Sequence, residues 1–421
     1  MSTSAAAPAF VPNYDESKVP PYVLPDPLRF EDGRGVRNAR DWRRRRAEVL
    51  DLFREHMYGH SPGRPRGQRF EVRNEDDQAL GGRARRREIR VWLTGSEDGP
   101  WVDVLLYVPS GATRPVPAFL GLNFEGNQAV TSDPGVTLTP RWVPRRTGDR
   151  PHQATEETRG GQASRWAIET MLERGYAFAT IYCGDLEPDH PQGWREGVRS
   201  IFPVGRPGSA ARASRTPVTP APTDWGAIAA WAWGLSRALD ALERDPDIDA
   251  RRVAVFGHSR LGKTALWAGA EDQRFAMVIS NNSGEGGAAL ARRRFGETTW
   301  RINTSFPHWF NTRFKDYNNR ADDLPIDQHQ LISLLAPRPA YIASAEKDQW
   351  ADPRGEFLSA HGAGPVYALL GRTGLGTEEM PGLNQPVGDH LGYHYRSGAH
   401  DVTLYDWERY LDFADRHWPR P

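Results

Sequence analysis

Arg252-Val253-Ala254-Val255-Phe256-Gly257-His258-Ser259-Arg260-Leu261-Gly262-Lys263-Thr264-Ala265-Leu266-Trp267 is the stretch on which the reading of the chain turns. An apolar, β-branched run stops at Gly257, and an Ala/Leu-rich run of helical character starts just past Ser259. The serine therefore stands on a strand-to-helix corner with glycine close on both sides. Such a corner is a nucleophile elbow: the turn is sharp and strained, and small residues are needed where strand and helix pass each other. The usual spacing is G-x-S-x-G. Here Leu261 takes the second glycine's place and Gly262 follows it, giving G-x-S-x-x-G. A serine among chance glycines is the plain alternative in a chain with 41 of them, but a strand before and a helix after argue against it. The helix behind Ser259 offers N-terminal N–H groups, and the N–H of Arg260 is placed to donate to an oxyanion.

The rest of the chain is consistent with a large α/β enzyme. Its 421 residues allow two domains by length, yet one large sheet runs this long, and we expect an extended N-terminal arm over 1–37 followed by a single catalytic domain over 38–421. Trp, Tyr and Phe are plentiful, which suits an aromatic-lined cleft better than disorder. Lys and Arg together number 54, as do Asp and Glu, so a nucleic-acid partner is not expected. The arginine runs 43–46 and 83–87 read as solvated faces of a helix and of an edge strand. Cys183 is the only cysteine, which excludes an intrachain disulfide and a cysteine zinc cage. Residues 1–10 carry no basic and then apolar leader, and nowhere do eighteen apolar residues run together. As written, the chain is expected to be soluble and cytoplasmic, monomeric, and free of cofactor, metal and membrane.

Residues up to 37 are Pro-rich and irregular. A helix is expected over 38–57, with Trp42, Val49, Leu50, Phe53 and Met57 on one side. Paired strands follow over 89–93 and 102–108, then a short buried strand over 116–122 leading into Asn123 and Phe124, whose backbone groups are candidates for a second oxyanion donor. Residues 131–161 read as a long loop on the rim of the site. Next come a helix over 163–174, a strand over 176–182 after the stop at Gly175, a loop over 200–222, a helix over 224–245 and a strand over 248–256. Strand and helix then alternate over 276–280, 327–335, 340–344 and 406–418. This alternation predicts a mostly parallel, doubly wound sheet in a three-layer αβα sandwich.

A serine nucleophile on this scaffold takes its acid and then its histidine later in the chain. His400, in Arg396-Ser397-Gly398-Ala399-His400-Asp401, lies between an apolar-aromatic stretch and the last helix, where the base belongs. His390 and His394 are rivals, spaced like a two-histidine metal motif, but Gly392 stands between them and the H-E-x-x-H glutamate is missing. His258 is expected to pack under the elbow. For the acid, Asp348 leaves the carboxyl edge of the 340–344 strand, with Glu346 and Asp352 as neighbouring alternatives. Lys263 is four residues beyond Ser259 in the first helical turn, so both side chains can face one pocket. Lysine is scarce in this Arg-dominated chain (Lys18, Lys263, Lys315 and Lys347), which favours a compact ammonium wanted at that spot over a solvated helix lysine. The glycine run 284–287 matches neither dinucleotide nor phosphate loops.

With these residues in place, the chain from about Tyr14 to Trp418 resembles the glucuronoyl esterases of carbohydrate esterase family fifteen, its bacterial members above all. The motifs that carry the resemblance are Gly257-His258-Ser259-Arg260-Leu261-Gly262-Lys263, Asn282-Ser283-Gly284-Glu285-Gly286-Gly287, Gly296-Glu297-Thr298-Thr299-Trp300 and Gly398-Ala399-His400-Asp401. The shifted glycine is a point of agreement, since the family's elbow is G-x-S-R-x-G-K. The resemblance implies an α/β-hydrolase that cleaves the ester between (4-O-methyl)glucuronic acid on xylan and lignin alcohols. It further implies Ser259 as nucleophile, His400 as base, Arg260 as an oxyanion donor through its side chain, and Lys263, Glu297 and Trp350 as holders of the sugar; it also implies a secreted or periplasmic enzyme. Spacing alone reads Trp350 as core and Glu297 as a surface charge. Many fungal members place the acid as a glutamate at the position of Asn282, which cannot serve and is expected to be a bystander to proton transfer. That raises Asp348, with Glu285 a weaker alternative. An acetyl xylan esterase, or an inactive carbohydrate-binding relative, is the competing expectation.

Overall fold

A computed structural model describes residues 10–144, 151–202 and 221–419. The first nine residues of the expected arm, the centre of the 131–161 loop, most of the 200–222 loop and the last two residues lie outside the described residues. Ten strands make one sheet: β1 Arg69–Gln78, β2 Ala84–Trp92, β3 Trp101–Pro109, β4 Val116–Asn123, β5 Ala177–Tyr182, β6 Ile248–His258, β7 Met277–Asn281, β8 Ala340–Ala345, β9 Val387–Gly388 and β10 Leu391–Arg396. Their order is β1-β2-β3-β5-β4-β6-β7-β8-β10-β9. The six strands from β5 to β10 in that order run parallel, and the flanking strands are antiparallel.

Side chains alternate across the sheet, and the alternation divides the core in two. Ala118, Leu120, Val253, Val255, Val278 and Ile342 point to one face, where they meet the helices Ala39–Phe53, Ala227–Leu242, Arg260–Glu271, Gln328–Ser333 and Pro353–Leu369. Phe119, Ala254, Phe256, Ile279 and Tyr341 point to the other, under the helices Ile168–Glu173 and Leu404–His417. Strands apolar on both faces are what a doubly covered parallel sheet requires. The fold is that of an α/β-hydrolase.

The first helix starts where Asn38 caps it, its side chain accepting from the N–H groups of Arg40 and Asp41. Three expectations are corrected. The helix expected over 163–174 is broken: a 3₁₀ turn Ala163–Arg165 precedes the helix Ile168–Glu173, and between them Trp166 turns extended. Its indole packs 5.7 Å from Phe256 and 6.1 Å from Trp407, so aromatic burial on the sheet wins over helix continuity. The 83–87 run is not on an edge strand, since β2 lies between β1 and β3. Nor are the arginine runs simply solvated. Arg86 is buried against Asp133 at 2.8 Å, Arg87 pairs with Asp245 and Asp247, and Arg46 donates to the Leu334 and Ala270 carbonyls. The helix Pro353–Leu369 and strands β1 and β10 are additional to the elements expected from sequence.

Candidate active site

The loops leaving the carboxyl ends of β4 to β8 and β10 converge at one edge, the usual place for a ligand in an open parallel sheet. Ser259 directly follows β6 and directly precedes the helix Arg260–Glu271, with φ 57° and ψ −130°. That conformation costs about 1–3 kcal/mol and persists only where its surroundings enforce it. Here Ser259 N–H donates to the Asn281 carbonyl at 2.9 Å. The two glycines have separate tasks. A Cβ on Gly257 would stand 1.9 Å from the Leu261 carbonyl oxygen, and one on Gly262 would press at 3.0 Å on Ser283 Cβ and at 3.1 Å on the Asn281 carbonyl oxygen. Gly262 is thus the crossing point of helix and β7, which is why the second glycine falls one residue late.

Past β8 and β10, Asp348 and His400 meet: His400 Nδ1 is 2.6 Å from Asp348 Oδ2. The carboxylate is buried, while the imidazole keeps 40% of its side chain exposed. Backbone bonds clamp the two loops together, Glu346 N–H to the Arg396 carbonyl and Lys347 N–H to the Gly398 carbonyl, both 2.9 Å. Arg396 braces the histidine loop from below. Its guanidinium binds Asp406 at 2.8 Å and donates to the carbonyls of Ala399 and Asp401 at 3.0 and 2.5 Å.

Asn282 is not remote from this pair. Its amide donates to Asp348 Oδ2 at 2.9 Å, the same oxygen that faces His400, so the residue expected to be a bystander to proton transfer is a direct hydrogen-bond partner of the candidate acid. Asn282 itself sits at φ 47°, and the next two residues are pinned by Glu356, a fully buried carboxylate accepting from Ser283 N–H at 2.7 Å, Gly284 N–H at 3.0 Å and Ser344 Oγ at 2.6 Å. The other acid candidates are engaged elsewhere: Glu285 accepts from Thr299 Oγ1 at 2.7 Å and Asp352 binds Arg293 at 2.8 Å. Glu346 is half-buried at the start of the same loop as Asp348.

His258 packs under the corner. Its Nδ1 is 2.7 Å from Asn281 Oδ1 and its ring centroid 4.5 Å from that of His400, and burial, then the neighbouring His400, hold it well below the usual histidine range. The His390/His394 pair does not form a helical face. His394 lies in β10, buried against Asp406 at 2.9 Å, and four residues along a strand span about 13 Å. Among the described residues no cluster of three or more His, Cys, Asp or Glu is arranged to hold a metal ion, and no helix is long and apolar enough to cross a membrane.

Arg260 forms an ion pair with Asp189 at 2.6 Å and lies 4.5 Å over the Phe124 ring. Asp189 also takes His308 Nε2 at 2.9 Å and Trp309 Nε1 at 2.7 Å. Burial works against its charge, but Arg260 and these donors outweigh it and hold the carboxyl below the ordinary range. Asn123 spends its side chain on its own turn, accepting from Gly126 N–H at 2.8 Å; the segment meets Arg260 through the ring of Phe124.

Lys263 is buried, not solvated, and its ammonium donates to the Ser283 carbonyl. Burial lowers its pKa, opposed by Glu297 and Glu285, and the same burial raises both glutamates, Glu285 to about 8. Glu297 is buried and its N–H donates to the Trp350 carbonyl at 3.0 Å, whereas Trp350 is 36% exposed. Both are the reverse of what spacing alone suggests. Asp189, Arg396, Asp406 and Glu356 brace the candidate site residues and do not stand out in the sequence; only Asp189 carries a positional hint, following the strand over 176–182.

A serine on a strained strand-to-helix corner, with a histidine–carboxylate pair on later strand ends, is the layout that a serine hydrolase of the α/β-hydrolase fold requires. A family model described as "Glucuronyl esterase, fungi" matches residues 219–371. A carbohydrate esterase from an unknown prokaryotic organism is 50% identical over 410 residues, 96% of this chain and 92% of that one. The solved glucuronoyl esterase from Solibacter usitatus superposes with a TM-score of 0.88 at 49% identity, covering 96% of this chain and 100% of that one. A promiscuous family-fifteen esterase from a marine bacterial metagenome gives 0.88 at 50% identity, over 97% and 100%. The chain belongs to carbohydrate esterase family fifteen, the glucuronoyl esterases.

Proposed function

We propose that this chain is a serine carboxylesterase hydrolysing esters of (4-O-methyl-)D-glucuronic acid, as in lignin–xylan cross-links, through Ser259, His400 and Asp348. The observation that carries the reading is the 2.6 Å contact between His400 Nδ1 and Asp348, with the His400 ring 4.5 Å from that of His258, the residue before the strained Ser259. A carboxylate on Nδ1 fixes the proton there and leaves Nε2 as the base. Ser259 Oγ attacks the ester carbonyl as His400 takes its proton; the oxyanion is met by the Arg260 N–H and guanidinium. The tetrahedral adduct collapses, the C–O bond to the alcohol breaks, and His400 gives the proton to the leaving oxygen. Water then attacks the glucuronoyl-serine by the same steps and frees the acid. Lys263, Glu297 and Trp350 hold the uronic ring: a buried ammonium beside buried carboxyl groups offers hydrogen-bond partners for ring hydroxyls, which an acetyl group lacks. We also read residues 38–421 as one catalytic domain and the enzyme as a monomer whose partner is glucuronoxylan.

The test is a panel of methyl and benzyl glucuronate against acetyl esters. The reading predicts a kcat/KM at least about tenfold higher for the glucuronates. A preference for acetyl esters points instead to an acetyl xylan esterase, and no turnover at all to an idle binder. Since a half-identical relative is described as promiscuous, measurable acetyl turnover is expected as well.

A further inference from the structure

Residues 10–16 lie against the two segments that carry Glu297 and Trp350, and they grip them at three points. Phe10 stands between two indoles, its ring centroid 5.9 Å from Trp350 at 87° and 5.7 Å from Trp300 at 41°. The Asn13 carbonyl accepts from Gly296 N–H at 2.8 Å, one residue before Glu297. Gly296 has φ 61°, and a Cβ there would come within 2.5 Å of the Gln349 and Trp350 carbonyl oxygens, so these segments already touch backbone to backbone. The third grip is ionic. Glu16 forks onto Arg293 at 3.0 and 2.8 Å, and Arg293, only 2% exposed, reaches on to Asp352 at 2.8 Å. Asp352 closes the Asp348–Trp350 loop, at φ 52°, and caps the following helix through Gly355 N–H at 2.9 Å.

An indole as exposed as Trp350 has several rotamers open to it, yet a sugar platform works in one of them. Its ring neighbour on the arm is what narrows the choice. We infer that Phe10 is a positioning residue for Trp350, and that the arm, through Phe10, Asn13 and Glu16, forms the outer support of the uronate site. This rests on the reading that Trp350 holds the ring.

The experiment uses the full chain with Phe10→Ala, Phe10→Tyr, Trp350→Ala and the Phe10/Trp350 double variant, measuring KM and kcat on benzyl glucuronate and 4-nitrophenyl acetate. Phe10→Ala should raise KM for the glucuronate by about three- to tenfold while kcat, and kcat/KM on the acetate, stay within about twofold. Phe10→Tyr should restore KM, and Phe10→Ala should add nothing once Trp350 is gone, the non-additivity expected when one residue acts through the other. Additive losses, or equal losses on both esters, overturn the inference. A normal KM in Phe10→Ala beside a raised KM in Trp350→Ala overturns the arm's role and leaves the sugar reading standing. A normal KM in Trp350→Ala overturns the sugar reading and this inference with it.

Discussion

The proposed catalytic corner and the proposed sugar wall are assembled in different ways. Ser259, Asp348 and His400 each follow the carboxyl end of a parallel strand, β6, β8 or β10, so the sheet's own hydrogen bonds set their spacing. Lys263, Glu297 and Trp350 come from a helix turn, a long loop and a 3₁₀ turn, and side-chain and arm contacts brace them one by one. A site anchored on strand ends is rigid, whereas a wall of loops adapts. The chemistry should therefore survive changes in the wall, and selectivity should move without the chemistry.

The largest effect expected is on the corner. Ser259→Ala should cut turnover of glucuronate and acetyl esters alike by about four powers of ten while glucuronate binding, followed calorimetrically, persists. An active alanine variant removes the serine mechanism. Asp348→Asn should cost up to about four powers of ten at neutral pH, again on both esters, with partial recovery at high pH, because the amide turns the imidazole to the wrong tautomer. Near-full activity would move the acid to Glu346, the one alternative not engaged by Arg293 or Thr299. Asn282→Ala removes a hydrogen bond to the Asp348 carboxylate and should lower kcat/KM by about tenfold, with the acid limb of its pH profile moved upward. An unchanged profile would make Asn282 the bystander that sequence suggests.

The smallest effect concerns Glu356, which pins Ser283 and Gly284 behind both regions. Burial pushes its carboxyl up to about 8, with Asp348 adding and the hydrogen bonds from Ser344, Gly284 and Ser283 opposing. A carboxyl raised in the folded state stabilises it when protonated; that contribution is complete below the ordinary glutamate range and lost as pH rises through the folded value. Melting temperature should therefore fall between about pH 5 and pH 8, and Glu356→Gln should flatten the fall. An unaltered slope places the pH dependence elsewhere.

How much of this was legible in the sequence follows the same division. The elbow is local: Gly257, Ser259 and Gly262 act within one turn, and their spacing carries the geometry. The sheet was legible because its strands are apolar on both faces. The last helix and His400 could be ordered by the logic of the fold. What was not legible depends on contacts across the chain. Asp189 behind Arg260, Arg396 beneath the histidine loop and Glu356 behind Ser283 are ordinary charged residues until the fold places them. The helix Pro353–Leu369 is masked by Gly355, Gly362, Gly364 and Pro365, which its burial overrides. Arg86 and Arg87 read as solvated because their carboxylates lie on distant loops. Trp350 and Glu297 show the limit of spacing most plainly, with the indole outside and the carboxylate inside.

The division itself is tested most directly by Lys263→Ala, through the ratio of kcat/KM on methyl glucuronate to kcat/KM on an acetyl ester. Lys263 lies four residues from Ser259 but belongs to the proposed wall. Loss of its buried, charged hydrogen bond should lower the ratio by about one to two powers of ten while acetyl turnover holds. Equal losses on both esters would show that the lysine supports the scaffold, and that corner and wall are not separable.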